Sequence, residues 1–150
     1  MPTKYKGNKK ETSALNALIN LMRCTNSLSS RINKTCLDSD LTESQFGVLE
    51  ALYHLGSLNQ KKLAEKLLVS PGNITMVIDN LERRDLVKRE RSKEDRRYIN
   101  INLTNKGNNL IKKILPTHIK SIVNEFSCLS LSEQDQLRDI CRKLGKKHKS

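Results

Sequence analysis

The 150-residue chain has no run of about 18 apolar residues, so no part of it reads as a membrane-spanning helix. The lysines near its start are followed by no apolar h-region, and the expectation is a cytoplasmic protein. Cys24, Cys36, Cys128 and Cys141 form no C-x-x-C pair and have no histidine at ligand spacing, which argues against a metal site. A glycine-rich phosphate loop, G-x-S-x-G and H-E-x-x-H are all missing, so the parts of an enzyme are not there. His54 and His118 lack an acid, serine or cysteine partner and read as packing or hydrogen-bonding residues. Neither catalysis nor a cofactor is expected.

What the chain has is positive charge: a formal +12 at pH 7 and a pI near 9.7, a balance that favours a polyanionic partner. The charge is clustered. Arg83, Arg84, Lys88, Arg89, Arg91, Lys93, Arg96 and Arg97 lie in and around an expected hairpin. One strand of it is marked by the alternation of Ile99, Ile101 and Leu103 with Tyr98, Asn100 and Asn102, and its partner is Leu86 to Arg91. An arginine at the tip of such a hairpin can enter the narrow, electronegative minor groove.

Just before the hairpin, Leu68-Val69-Ser70-Pro71-Gly72 reads as a turn, with Ser70 as N-cap and Pro71 at the first helical position. The helix that follows carries Ile74, Val77, Ile78 and Leu81 on one stripe, which must face a core. Its other face holds Asn73, Thr75, Met76, Asp79, Asn80 and Arg83, side chains able to approach base edges. Upstream, Leu63, Ala64 and Leu67 give the helix over Gln60 to Leu67 a face for close crossing, and a helix-turn-helix results.

The ends read as long helices. Thr12 to about Ser39 has no proline or glycine, with Leu18, Leu21, Cys24, Leu28 and Ile32 near one stripe, and Thr42-Glu43-Ser44-Gln45 fits a capping box that starts a new helix. After Thr104 a second long pattern carries Leu110, Ile111, Ile114, Leu115, Ile119, Ile122, Val123 and Phe126, with a kink expected at Pro116. Ser132 with Asp135 is expected to start a last helix bearing Leu137, Ile140, Cys141 and Leu144. The flanking segments Lys4 to Lys10 and Arg142 to Lys149 read as charged, mobile tails.

From about Leu41 the blocks Leu63-Ala64-x-x-Leu67, Val69-Ser70-x-x-x-Ile74-Thr75, Leu81-Glu82-Arg83-x-x-Leu86-Val87, Asp95-Arg96-Arg97 and Leu103-Thr104-x-x-Gly107 follow one another. In this order they resemble the MarR (multiple antibiotic resistance regulator) family of winged-helix transcription regulators. The resemblance implies a mainly α fold: a winged helix-turn-helix with a β-hairpin wing and long N- and C-terminal dimerisation helices, in a single domain over 1–150. The dimerisation segments would be 12–40 and 104–145, and the DNA-binding core 41–103.

The resemblance also implies that Asp95 orients Arg97 at the wing tip. With the readings above, the expected DNA-binding residues are Ser70, Gly72, Asn73, Thr75, Met76, Asn80, Arg83, Lys88, Arg89, Arg91, Lys93, Asp95, Arg96 and Arg97. The expected dimerisation residues are Leu15, Leu18, Ile119, Ile122, Val123, Phe126, Leu137, Ile140 and Leu144. Double-stranded DNA with an inverted-repeat operator, a second copy of the chain and a small-molecule effector are the implied partners. That effector would bind in a cleft between the terminal helices and the winged domain, as for a repressor released by a ligand or a stress signal.

The chain departs from the family at two positions. Met76 stands where many relatives have an arginine, and Asp85 stands where they commonly have glycine at the helix end. In the peroxide-sensing branch the sensing cysteine lies early in the first helix, where this chain has Leu18. Cys24 is therefore read as a small core hydrophobe, with Cys128 and Cys141 left as candidates for oxidant sensing. A winged-helix module that binds protein, and a sequence-indifferent nucleoid or RNA binder, are the competing readings. The basic hairpin weighs against the first and the polar helix face against the second.

Overall fold

The computed structural model describes residues 4–67 and 70–146. Leu68 and Val69 of the expected turn, and the end of the C-terminal tail from Lys147, lie outside the described residues. The described elements are α1 (Lys9–Ile32), α2 (Lys34–Leu37), α3 (Glu43–Leu55), β1 (Leu58–Asn59), α4 (Gln60–Leu67), α5 (Pro71–Arg83), β2 (Val87–Arg91), β3 (Ile99–Leu103), α6 (Asn105–Phe126) and α7 (Leu131–Gly145). They divide into two compact units. One comprises residues 33–118, and the other comprises residues 1–32 with 119–150.

The unit of residues 33–118 is the winged helix. Ile74, Val77, Ile78 and Leu81 of α5 are all buried, as the spacing requires, and they share a core with Leu41, Phe46, Val48, Leu49, Leu52, Leu63, Leu86, Val87, Ile101 and Ile111. Local signals set the helix starts. Thr42 accepts from the Gln45 N–H at 3.2 Å while the Gln45 side chain accepts from the Thr42 N–H at 3.0 Å, closing the capping box. Ser70 accepts from the Asn73 N–H at 3.3 Å at the start of α5.

The sheet is antiparallel, with strand order β1-β3-β2. Its hairpin register sets Val87 opposite Leu103, Arg89 opposite Ile101 and Arg91 opposite Ile99. β1 has only two residues, too few to show a period in sequence.

At the base of the wing the chain leaves α5 through Asp85 in a left-handed conformation, φ 56°. An aspartate visits that region less readily than glycine but more readily than most residues. The Thr104 hydroxyl donates to the Asp85 carbonyl at 2.7 Å and accepts from the Gly107 N–H at 3.0 Å. One side chain thus caps α6 and holds the turn before β2. Gly107 lies so close to this turn that a Cβ on it would come within 2.0 Å of the Leu86 carbonyl oxygen. The Leu103-Thr104-x-x-Gly107 block is the joint between wing and helix.

Several expectations need correction. α1 begins at Lys9, because Asn8 and Glu11 cap it reciprocally at 2.9 and 3.0 Å, so Lys9 and Lys10 belong to a helix and not to a tail. The first long helix does not reach Ser39: it ends at Ile32, the short α2 follows, and Asp40 turns the chain at φ 56°. α7 starts at Leu131 and not at Ser132, since Ser130 and Glu133 form the capping box, at 3.2 and 2.8 Å. Asp135 instead pairs with Arg138 one turn on, at 2.8 Å. Cys24 is exposed, because α1 has no buried residue in the single chain; the cysteine in the core is Cys36, whose thiol pKa is raised by burial and then by Glu43 and Glu50.

α6 runs on as a helix through Pro116. Two residues later His118 is buried, its ring 4.4 Å from that of Phe46 with Nδ1 unpartnered among the described residues, so packing is its role. In the other unit Arg31 of α1 meets Glu125 of α6 at 2.7 Å.

Candidate nucleic-acid interface

Burial of one face of α5 leaves the opposite face to solvent. Ser70, Gly72, Asn73, Thr75, Met76 and Arg83 are exposed and Asn80 is half-buried, and Met76, at 61% exposed, is the most prominent apolar side chain of that face. Two of these groups are tied to neighbours. The Arg83 guanidinium donates to the Asn80 side-chain oxygen, with its Nε 3.4 Å from the Asp79 carbonyl, so Arg83 and Asn80 form one unit. Thr75 accepts from the Gln60 side-chain amide at the start of α4. Gln60 was not among the expected site residues, and nothing in a sequence period signals a contact made between two helices.

The wing supplies a second set. At its tip Arg97 donates to Asp95 through Nε at 3.0 Å and Nη2 at 2.7 Å, and the Arg97 N–H adds a third bond to the same carboxylate at 3.0 Å. The arginine side chain is 85% exposed and that of the aspartate 33%. These hydrogen bonds hold the Asp95 carboxyl below its ordinary range and raise the Arg97 pKa, so both stay ionised. The tip is closed by Ser92, whose N–H donates to the Tyr98 carbonyl at 2.9 Å and whose hydroxyl accepts from the Asp95 N–H at 3.4 Å. Arg91, Lys93 and Arg96 are exposed and make no ion pair among the described residues. Lys88 pairs with Glu90 at 2.8 Å.

Arg89 is placed differently from the other wing cations. It shares the inward face of the hairpin with Val87, and its guanidinium meets Asp79 at 2.6 Å and also binds Glu82, both on α5. Partial burial would lower its pKa, but hydrogen bonds to Asp79 and Glu82 outweigh that and raise it. Strand alternation carried this signal, since Arg89 is two residues from buried Val87. The sequence reading also passed over Lys61 and Lys62 at the start of α4, which line one groove with Lys88, Arg91 and Lys93 of the wing. Glu65, Glu90, Glu94 and Asp95 line the same groove, so its charge is mixed and the lysines alone do not mark it as a phosphate track.

Residues 41–99 match the model of the MarR family. Over 132 residues the chain is 36% identical to the HTH-type transcriptional regulator YkoM of Bacillus subtilis (strain 168), covering 88% of this chain and 86% of YkoM. The chain belongs to the MarR family. It is accordingly a DNA-binding transcription regulator by family, and not an enzyme.

Two further likenesses are to named regulators. The transcriptional repressor MprA of Escherichia coli (strain K12) is 36% identical over 88 residues, or 59% of this chain and 50% of MprA. The structure of BpsR from Bordetella bronchiseptica, whose DNA binding is regulated by 6-hydroxynicotinic acid, superposes with a TM-score of 0.77 at 25% identity, covering 87% of this chain and 98% of that one. Among the described residues no helix is long and apolar enough to cross a membrane, and no group of His, Cys, Asp or Glu side chains could hold a metal ion.

Proposed function

We propose that the chain is a homodimeric, cytoplasmic repressor that binds an inverted-repeat operator in double-stranded DNA and is released by a small ligand or a stress signal. The observation that carries this reading is the pairing of an open, polar α5 face with an ionised, exposed Asp95–Arg97 fork on the same winged unit. Asn73, Thr75 and Asn80 are the proposed polar contacts of α5, with Ser70 and Gly72 at its start lying against the backbone. Met76 packs on a thymine methyl. Arg97 enters the minor groove, while Lys88, Arg91, Lys93 and Arg96 act on phosphates.

The segments 12–40 and 104–145 form the dimer and 41–103 reads DNA. Apolar exposure in the single chain supports this. Leu18, Ile119, Val123, Leu137, Ile140 and Leu144 are all exposed, while Leu15, Ile122 and Phe126 are only half-buried. A two-fold axis then sets two copies of α5 toward successive major grooves. The likeness to MprA supports repression, and that to BpsR supports a small organic acid as the releasing ligand. Such a ligand acts by favouring a spacing of the two recognition helices that the operator cannot accept.

Selection of bound fragments from a random duplex library tests the reading. An enriched inverted repeat with half-sites about one helical turn apart is expected. Enrichment of no motif despite tight, salt-sensitive binding would favour the sequence-indifferent alternative, and absence of DNA binding would favour the protein-binding one.

A further inference from the structure

We propose that Arg89 is a positioning residue and not a phosphate contact: it ties β2 to the recognition helix and cancels two carboxylates that would otherwise repel the DNA backbone. The inference rests on the operator-binding reading above. Asp79 lies on the exposed face of α5, one turn from Met76, and Glu82 follows it at i+3, so both carboxylates stand on the helix that approaches DNA. Left alone they would place two negative charges beside a polyanion. Arg89 meets both, and its own N–H donates to Glu82 at 3.1 Å, so Glu82 holds the backbone of β2 as well as its side chain. The arginine side chain is 26% exposed, against 85% for Arg97, and its charge is already engaged. A guanidinium in a two-carboxylate fork cannot turn to a phosphate without leaving both carboxylates unpaired.

The test compares Arg89→Gln, Arg89→Lys and the triple variant Asp79→Asn/Glu82→Gln/Arg89→Gln on the selected operator across a salt series, with amide exchange of β2 read in the same proteins. Arg89→Gln is expected to weaken binding by about tenfold or more, and most at low salt, because the two unpaired carboxylates then repel the phosphates with little screening. Arg89→Lys should also weaken it, since an ammonium cannot fork between two carboxylates. The triple variant should bind better than Arg89→Gln but below the wild type, since the repulsion is gone while the tie between β2 and α5 is not restored.

The proposal is overturned if Arg89→Lys binds like the wild type, or if the triple variant binds no better than Arg89→Gln at any salt concentration. A wild-type protein without affinity for any duplex would sink the operator reading instead. The tie between β2 and α5 is then decided by exchange alone: faster exchange of the β2 amides in Arg89→Gln supports it, and unchanged exchange refutes it.

Discussion

Replacing Gly107 by alanine tests whether the joint between wing and α6 is as close as the structure has it. The added Cβ would fall 2.0 Å from the Leu86 carbonyl oxygen, well over an ångström short of ordinary contact, and 2.9 Å from its carbon, and these atoms are backbone that cannot swing aside. Overpacking of this kind costs about 1 to 3 kcal/mol. Alanine's better helix propensity returns at most about 1 kcal/mol, less in a first turn, so the substitution should be net destabilising.

The displacement falls on Leu86, next to Val87 where β2 starts, and strains the Thr104 hydroxyl between Asp85 and Gly107. For a chain of this size each kcal/mol lowers the melting temperature by about 2 to 4 °C, read at fixed protein concentration because the proposed dimer would also contribute. Gly145→Ala serves as control: it too lies in a helix, but no atom of the described residues stands within 4 Å of its Cβ position, so it should be neutral or slightly stabilising. Operator affinity of Gly107→Ala should fall with its stability. A Gly107→Ala protein that melts with the wild type would refute the close approach and, with it, this account of the Leu-Thr-x-x-Gly block.

Arg97→Ala should lower operator affinity on the order of 10- to 100-fold, the worth of a well-made arginine contact, in a fluorescence-anisotropy titration. Asp95→Ala separates orientation from charge, since loss of a negative group alone would tighten binding while loss of the fork would weaken it; tighter binding would sink the orienting role. Because the Asp95 pKa is lowered, the fork is intact above the ordinary carboxylate range and is lost only as pH falls through the lowered value, so binding that depends on it should be flat from about pH 8 to about pH 5. Met76→Arg should shift the selected motif toward guanine at one symmetric pair of positions, and an unchanged motif would mean that Met76 does not face the bases. Leu137→Glu with Leu144→Glu should yield monomers by analytical ultracentrifugation, since each large side chain buried at a dimer seam contributes about 1.5 to 3 kcal/mol; a monomer with full operator affinity would refute the need for two linked helices.

Where a residue's role follows from its neighbours in sequence, the chain was readable. The α5 stripe, the β3 alternation and the Thr42 box depend on spacings of two to four residues; the structure places the stripe and the box as read, and forms the strand with Ile101 buried but Ile99 exposed. The wing fork is equally local, since Asp95 and Arg97 are two residues apart. At α7 the expected cap, Ser132 with Asp135, gives way to Ser130, which has a glutamate three residues on and so closes the full capping box. Cys24 was misplaced for a different reason: an apolar stripe shows that a face is to be covered, and does not say by which chain. The Gln60–Thr75 and Arg89–Asp79 contacts join elements separated in sequence, so they needed the fold before they could be seen.

The same distinction governs what the basic composition means for binding. The formal +12 counts every cation alike, yet the wing sorts its own into separate groups. Arg89 is occupied by two carboxylates on α5, Lys88 by Glu90 and Arg97 by Asp95, whereas Arg91, Lys93 and Arg96 have no anionic partner among the described residues. Counterion release depends on cations that reach phosphates, at about 0.9 of slope for each. A salt slope predicted from the whole cluster between Arg83 and Arg97 would therefore be too steep. The wing's share should be set chiefly by the three unpaired cations, with Arg97 adding its contact in the minor groove while Asp95 offsets part of its charge.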